Sequence, residues 1–545
     1  MHRKPQHLSL LLSLLVPLAC NGSSNEDSST EATTDTTTDT TLGTESESTT
    51  GTGTNTGTDS DTGTSTGTDT DTDTDTDTGT DTGTGTDTGG KLFCQDMSAT
   101  PSEITYYVSP SGDDDGPGSE AEPWRTIGRA ADEVSTGDVV QVLAGTYEED
   151  GPVYVDASGS EQAPIIFLAQ GEVSMPGFEL HGDHLQIRGF TIRVFSCDTA
   201  NYGIFVSGNN FLIEGNAINE TVDAGVWVDA DSSSGRIRHN RFYHNVLNSI
   251  EIHGHDHIVE CNQIESPIQR HPVCDVNEDD ANGVWVFGSG HILRDNRILG
   301  VHHGEFTSDA HMDCFQTFGG WLRGDPKKNS ELLFERNFCD ALTHTGDVDT
   351  AGSGFTIEDV TSPDQSYASG TIIKNNTIVA ASCTGGQEGT SWLSYLHNTC
   401  VTSEEIGNLE GTLGMDLWPD SSYGNSHYRI LNNIYFGFSF PIYVNSDLWD
   451  GGTVESHHNL AFLSEGEPNT PYGGKTFTCG EANSICADPL FKQLSPDLID
   501  SDFHLREQSP AIDAGDSLTE VGADIEGNIR PQMAGWDLGA YEYIP

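Results

Sequence analysis

The sequence predicts an all-β solenoid carried behind a long segment without regular structure. Three observations predict it. A short motif centred on asparagine recurs through the middle of the chain. A second motif, of alternating apolar residues, precedes most of its copies. Residues 21–90 hold almost nothing from which a core could form.

The chain opens MHRKPQHLSLLLSLLVPLAC. Arg3 and Lys4 precede an apolar run at residues 8–16 that is too short to span a bilayer as a mature helix. Small Ala19 stands before Cys20. The segment resembles a bacterial lipoprotein signal, with Pro17 where that signal has Leu or Val; an ordinary secretory signal cut near Cys20 is the alternative. The resemblance implies removal of residues 1–19, lipidation of Cys20, and anchoring to the outer membrane or cell surface. Residues 20–92 are then a tether. They are nearly all Thr, Asp, Gly and Ser, ending TDTDTDTDTGTDTGTGTDTGG before Lys91. Such a composition cannot offset chain entropy by burial, so disorder is expected. Like charges and backbone freedom would keep it extended.

From Lys91 onward the chain carries 21 Lys and Arg against 69 Asp and Glu, a formal charge of −48. That surface repels nucleic acid, which is excluded as a partner, and it repels an anionic glycan unless cations bridge the two. Adaptation to salty surroundings explains the same balance. Of 11 cysteines, ten remain once Cys20 is set aside, an even number suited to an oxidising compartment. Cys479 and Cys486 are close enough to close a small disulfide loop. Cys261 and Cys274 flank an insertion. None has the spacing of a zinc site.

The repeats are IEGNAI, IRHNRF, VECNQI, LRDNRI, FERNFC, IKNNTI, YLHNTC and ILNNIY, with ESHHNLA as a weaker ninth. They place Asn216, Asn240, Asn262, Asn296, Asn337, Asn376, Asn398, Asn433 and Asn459 at one position of the motif. The shortest spacing is 22 residues, and longer gaps hold polar insertions. The second motif is GIFVSG, GVWVDA, SIEIHG, GVWVFG, CFQTFG, GFTIED and GMDLWP. Its alternation buries one face of a strand. Two or three short strands per repeat make a β-solenoid in which stacked asparagines form a structural amide ladder.

These repeats resemble the right-handed parallel β-helix of the pectate lyase superfamily. The stretch YYVSPSGDDDGPGSEAEPWRTIGRAADEVSTGDVVQVLAGTYEE is similar to the N-terminal cap of that group, with TIGRAADEV as a short capping helix that hides the edge strand. The end, ADPLF through WDLGAYEY, resembles a choice-of-anchor Q segment. The likeness covers Thr105 to Tyr543 and implies a β-helix at residues 93–470, a C-terminal capping segment at 471–545, and a monomer. It implies no single activity, because this fold hosts lyases, hydrolases, epimerases and adhesins.

Aligning CFQTFG with GVWVFG turns Phe315 and Thr317 inward and Gln316 outward. Trp227, Glu251, Trp285, Gln316, Thr356 and Asp416 then form one outward column. His253 belongs to the next, with Asp229, Phe287, Phe318, Glu358 and Trp418. Long loops precede these strands: IQRHPVCDVNEDDAN, GVHHGEFTSDAHMD and ALTHTGDVDTAGS. Insertions along one edge would wall a groove beside a flat sheet. Aromatic faces suit sugar rings, and carboxylates and amides bond their hydroxyls. Trp227, His253, Trp285 and Gln316 are therefore candidate polysaccharide-binding residues, and Glu251, Asp309, His311 and Asp313 candidate catalytic ones.

The resemblance implies a Lys or Arg base and calcium for uronate lyases. Lys327 and Lys328, the lysines of the central loops, read as a solvated turn. His311 titrates near neutrality and could serve instead. The DAH of residues 309–311 is similar to the Asp-Pro-His motif of mannuronan epimerases. Asp309 and Asp313 could hold Ca2+, and His302, His303 and Glu305 add further donors. Hydrolysis by a carboxylate pair, Glu251 with Asp313 or Asp309 with Asp313, is a further alternative. So is glycan binding without catalysis. Each residue also has a structural reading: Trp227 and Trp285 packed under the loops, His253 bonded to a neighbouring turn, His302 and His303 as plain loop residues. Asp313, in register with Asn282 and Asn248, could cap a turn.

Overall fold

The computed structural model describes Cys94 and residues 96–148, 151–193, 202–269, 274, 280–301, 312–318, 329–342, 352–358, 369–388, 392–403, 413–418, 427–444, 453–464, 475–480 and 482–545. Residues 1–93, which include Cys20 and the tether, lie outside them. The described residues between Tyr106 and Cys486 form a parallel β-helix with three strands to a turn. The first column of strands runs through Leu212–Glu214, Arg236–Arg238, Ile258–Glu260, Ile292–Arg294 and Leu333–Glu335 to Thr453–His457. The second runs through Ala217–Asn219, Arg241–Tyr243, Gln263–Glu265 and Arg297–Leu299 to Leu460–Phe462. The third is a 12-stranded sheet from Val153–Val155 to Lys475–Thr476, parallel except at its last pairing.

The amide ladder lies at the corner between the first and second columns. The residue before each ladder asparagine turns that corner in the left-handed region, from Gly215 (φ 67°) and His239 (φ 55°) to Asn432 (φ 62°) and His458 (φ 52°). From Asn240 onward, each Oδ1 then accepts from the backbone N–H and the Nδ2–H of the asparagine one turn before it. Asn262 Oδ1 accepts both from Asn240, at 3.0 and 3.1 Å. Each remaining Nδ2–H reaches a backbone carbonyl, as from Asn262 to Ile237 at 2.9 Å. The series runs unbroken from Asn216 to Asn459. All nine asparagines are buried, and buried amides are stable only when satisfied in this way.

Inside the three walls lies one apolar core, with rings such as Phe315 and Phe355 stacked at 5.0 Å. Full burial of one such side chain is worth about 1.5–3 kcal/mol. The helix Ile127–Glu133 closes the N-terminal end, as expected for TIGRAADEV. Thr126 Oγ1 caps it by accepting from Arg129 N–H, and Ile127, Ala130 and Ala131 enter the core. The expected Cys479–Cys486 disulfide is present. Cys261 pairs with Cys94, while Cys314–Cys339 and Cys383–Cys400 each tie the third column to the second. Among the described residues, no helix is long and apolar enough to cross a membrane.

The register of the third sheet is as the sequence indicates, with Trp227 opposite Glu251, Glu251 opposite Trp285, Trp285 opposite Gln316, and Gln316 opposite Thr356. The strand Ser382–Glu388 then intervenes before Asp416, placing Gly385 opposite Thr356. Its SCTGGQE lacks the aliphatic alternation that marks the other strands.

Candidate functional site

The third sheet turns Val226, Val228, Ile250, Ile252, Val284, Val286 and Phe315 into the core. The residues between them stand on the opposite face, and four of the sequence candidates meet there. Glu251 is fully buried. It accepts from Asn248 Nδ2 at 3.2 Å and bonds His253 Nε2 at 2.7 Å. The His253 ring lies between Trp227, 5.4 Å away, and Phe287, 4.7 Å away, nearly parallel to both. Two turns on, Gln316 Oε1 accepts from Trp285 Nε1 at 2.5 Å and from Asn282 Nδ2 at 3.1 Å. Trp227, His253, Trp285 and Gln316 each keep less than a tenth of their exposure.

Asp313 is buried at the start of its strand, and its backbone N–H donates to Asn282 Oδ1 at 2.8 Å. It continues a short polar row: Asn248 lies opposite Asn282, and Asp313 opposite Ser353, which lies opposite Ser382. Asp309 and His311 lie outside the described residues, as do His302, His303, Glu305, Lys327 and Lys328.

The same column is open at its N-terminal end. Tyr154 lies opposite Glu179, Glu179 opposite Phe205, and Phe205 opposite Trp227. Tyr154 is 58% exposed. Glu179 and His181 are partly exposed, with Oε2 3.6 Å from Nε2. His181 Nδ1 is 2.9 Å from Ser207 Oγ. Its ring stacks against Tyr154 at 6.2 Å and tilts against Phe205 at 5.9 Å. Sequence reasoning missed this pair. Its signal is FELHG at residues 178–182, which repeats the IEIHG of 250–254. The chain thus holds two Glu-x-His-Gly copies three turns apart, one buried and one reachable from solvent.

Rings follow one another along this face from Tyr154 through His181, Phe205, Tyr202, Trp227, His253 and Phe287 to Phe318, with neighbours 4.7–6.2 Å apart. Residues 106–257, which span its open half, match the model of the Pel9A-like right-handed β-helix region. The protein YwoF of Bacillus subtilis, which has no assigned function, is 31% identical over 146 residues, 24% of this chain and 30% of that protein. Pectate lyase PEL9 of Emericella nidulans is 33% identical over 100 residues, 18% of this chain and 23% of that enzyme. The chain therefore spans less than a third of the length of these curated relatives. Among solved structures, pectate lyase Pel9A is 16% identical with a TM-score of 0.37, covering 81% of this chain and 97% of that one. XylC in complex with xylose is 11% identical with a TM-score of 0.47, covering 81% and 98%.

The strand Asp313–Phe318 offers one carboxylate, Asp313, and one amide oxygen, Gln316 Oε1, which already accepts two hydrogen bonds. Calcium takes about six to eight oxygens, and the described residues of this strand do not supply them.

Proposed function

We propose that this protein is a polysaccharide-active β-helix protein that cleaves a uronate-containing glycan by β-elimination along the outer face of the third sheet. The observation that carries the proposal is the pair of adjacent columns on one face, in which rings and carboxylates of one and imidazoles of the other follow one another from turn to turn. The match to the Pel9A-like region and the local similarity to a pectate lyase support the same reading. Tyr154 and Phe205 offer faces to sugar rings, and Glu179 can bond their hydroxyls. An imidazole removes the C5 proton, the C4–O bond breaks, a C4=C5 double bond forms, and the departing sugar oxygen takes up a proton. Among the described residues, His181 is a solvent-reachable imidazole of the face, and His311 is the one the sequence sets at the groove edge. Each is a candidate base. Calcium is varied in the assay.

The test is a screen of purified protein on uronate polymers, with and without calcium, reading the absorbance of unsaturated product. Product formation lost in one of His181→Ala and His311→Ala and kept in the other would identify the base. Absence of product on every polymer overturns the lyase reading. A second reading, glycan binding without catalysis, is favoured by the burial of Glu251 and His253; retention on a polymer column without product would support it. The proposal includes anchoring through a lipid on Cys20. Cys20→Ser is expected to move the protein from the membrane to the soluble fraction, and identical fractionation of both forms would refute the anchor.

A further inference from the structure

The last turns of the solenoid carry a side-chain cluster well apart from the face described above. The strand Thr453–His457 ends at His457, and His458 takes a φ of 52°. Along a continuing strand, adjacent side chains point to opposite faces. The left-handed corner instead lets the two imidazoles converge, with Nδ1 2.8 Å from Nδ1. The C-terminal segment brings Asp516 beside them. Asn432 grips its main chain from both sides, accepting from Asp516 N–H at 2.9 Å and donating to its carbonyl at 2.8 Å. Ser517 N–H donates to Asp516 Oδ1 at 2.8 Å, and among the described residues no hydrogen bond engages Oδ2. One ligand atom from each of His457, His458 and Asp516 can be chosen so that all three lie within 4.8 Å of one another.

We propose that His457, His458 and Asp516 form a binding site for a late first-row divalent cation, which would fasten the C-terminal segment to the solenoid. Imidazole is the ligand such ions prefer. Two nitrogens about 2.0 Å from an ion are about 2.8 Å apart when they subtend a right angle and about 3.3 Å apart in a tetrahedron. The 2.8 Å between the two Nδ1 atoms is that of an N–H···N hydrogen bond, and it leaves both close enough to reach one ion after a small shift. The surroundings support ligation. His457 Nε2 lies 3.1 Å from Glu455 Oε1, so a proton there leaves Nδ1 as the electron-pair donor. His458 Nε2 lies 3.0 Å from Asn483 Nδ2. Rotating that amide presents its oxygen to an Nε2–H, and the His458 proton moves from Nδ1 to Nε2 with none lost. Without the ion, the Nδ1–H of His458 simply bonds His457. All three residues are partly exposed, which gives the ion a path in and water the remaining positions.

The test titrates the untagged full-length protein, first stripped with chelator, with NiCl2 and separately with CuCl2, reading heat of binding and melting temperature. One site is expected whose affinity falls at least a hundredfold in His458→Asn and in Asp516→Asn. Asparagine tolerates the left-handed corner, and Asp516→Asn keeps both backbone bonds to Asn432, so both variants should fold; circular dichroism checks this. The melting temperature of the wild type should rise with metal concentration, and that of Asp516→Asn should not. Equal binding by wild type and both folded variants, or no binding by the wild type, overturns the site. The outcome is independent of any activity on polysaccharide.

Discussion

At the residue scale, two glutamate–histidine pairs with the same local sequence differ in surroundings, and the difference separates chemistry from architecture. Glu251 and His253 are buried and fully engaged, so replacing Glu251 by Ala strands Asn248 Nδ2 and one imidazole N–H. Each stranded group costs about 1–3 kcal/mol, and a clear fall in urea midpoint is expected. Glu179 and His181 sit at the open end of the column, where substitutions usually change stability by no more than about 0.5 kcal/mol. Glu179→Gln and His181→Ala should therefore keep the wild-type melting temperature. If the site acts there, they should lower turnover by roughly a hundredfold or more, as loss of a general acid or base does. The ladder supplies a second residue-scale prediction. Removing the amide in Asn337→Ala leaves the Asn296 N–H, the Asn296 Nδ2–H and the Leu293 carbonyl without their partner. Three buried polar groups put the cost at about 3 kcal/mol or more, measurable as a shift in urea midpoint at unchanged slope.

At the element scale, legibility in the sequence followed the ladder. Where the alternating apolar motif follows a ladder asparagine, strand register could be read by aligning its copies, and Trp227, Glu251, Trp285 and Gln316 fall where that alignment puts them. The index ends at Asn216. One turn earlier the corner holds Phe190, whose backbone N–H still donates to Asn216 Oδ1, and the FELHG pair beyond it carried no marker. Burial was not legible either, because it depends on residues distant in sequence. A second, shorter row also escaped notice. His257 Nδ1 accepts from Gly235 N–H, His291 Nδ1 accepts from His257 N–H, and the rings stack at 5.2 Å. Burial, followed by the neighbouring imidazole, pushes His257 down to about 3, and burial pushes His291 down to about 4. The unfolded imidazole titrates near 6.5. The stability this row contributes is thus complete above about pH 6.5, and it declines as pH falls through 5 toward the folded values, because the unfolded chain then binds more protons. His504 has the opposite sign. Its bonds to Glu526 and Asp502 outweigh burial and raise it, so its contribution is present at low pH and fades as pH rises through its raised value. Urea midpoints from pH 7 to 5 should fall, and they should fall less in His291→Asn, which keeps an acceptor for His257 N–H.

At the scale of the whole molecule, a solenoid has two ends, and each needs cover. The helix at residues 127–133 covers one, as its sequence suggested. The C-terminal segment lies along the outer face of the later turns, where Phe491, Phe503, Leu505, Ala511 and Leu538 pack on Val379, Val401, Ile434 and Leu460. One buried cation organises the docked segment. Arg530 pairs with Glu542 at 2.7 Å, donates to the carbonyls of Asp537 and Gly539, and reaches Asn375 Oδ1 on the solenoid at 3.3 Å. Removing one partner of a buried pair costs about 3–5 kcal/mol, since the other charge stays without compensation. In Arg530→Ala that loss falls on the segment and not on the amide ladder, whose bonds are all made within the solenoid. The expected result is local release: cleavage after residue 513 under brief proteolysis, binding of an apolar dye, and a β-rich circular dichroism spectrum unchanged from wild type. A variant that unfolds in a single step with the wild-type cooperativity would instead mean that segment and solenoid are one cooperative unit.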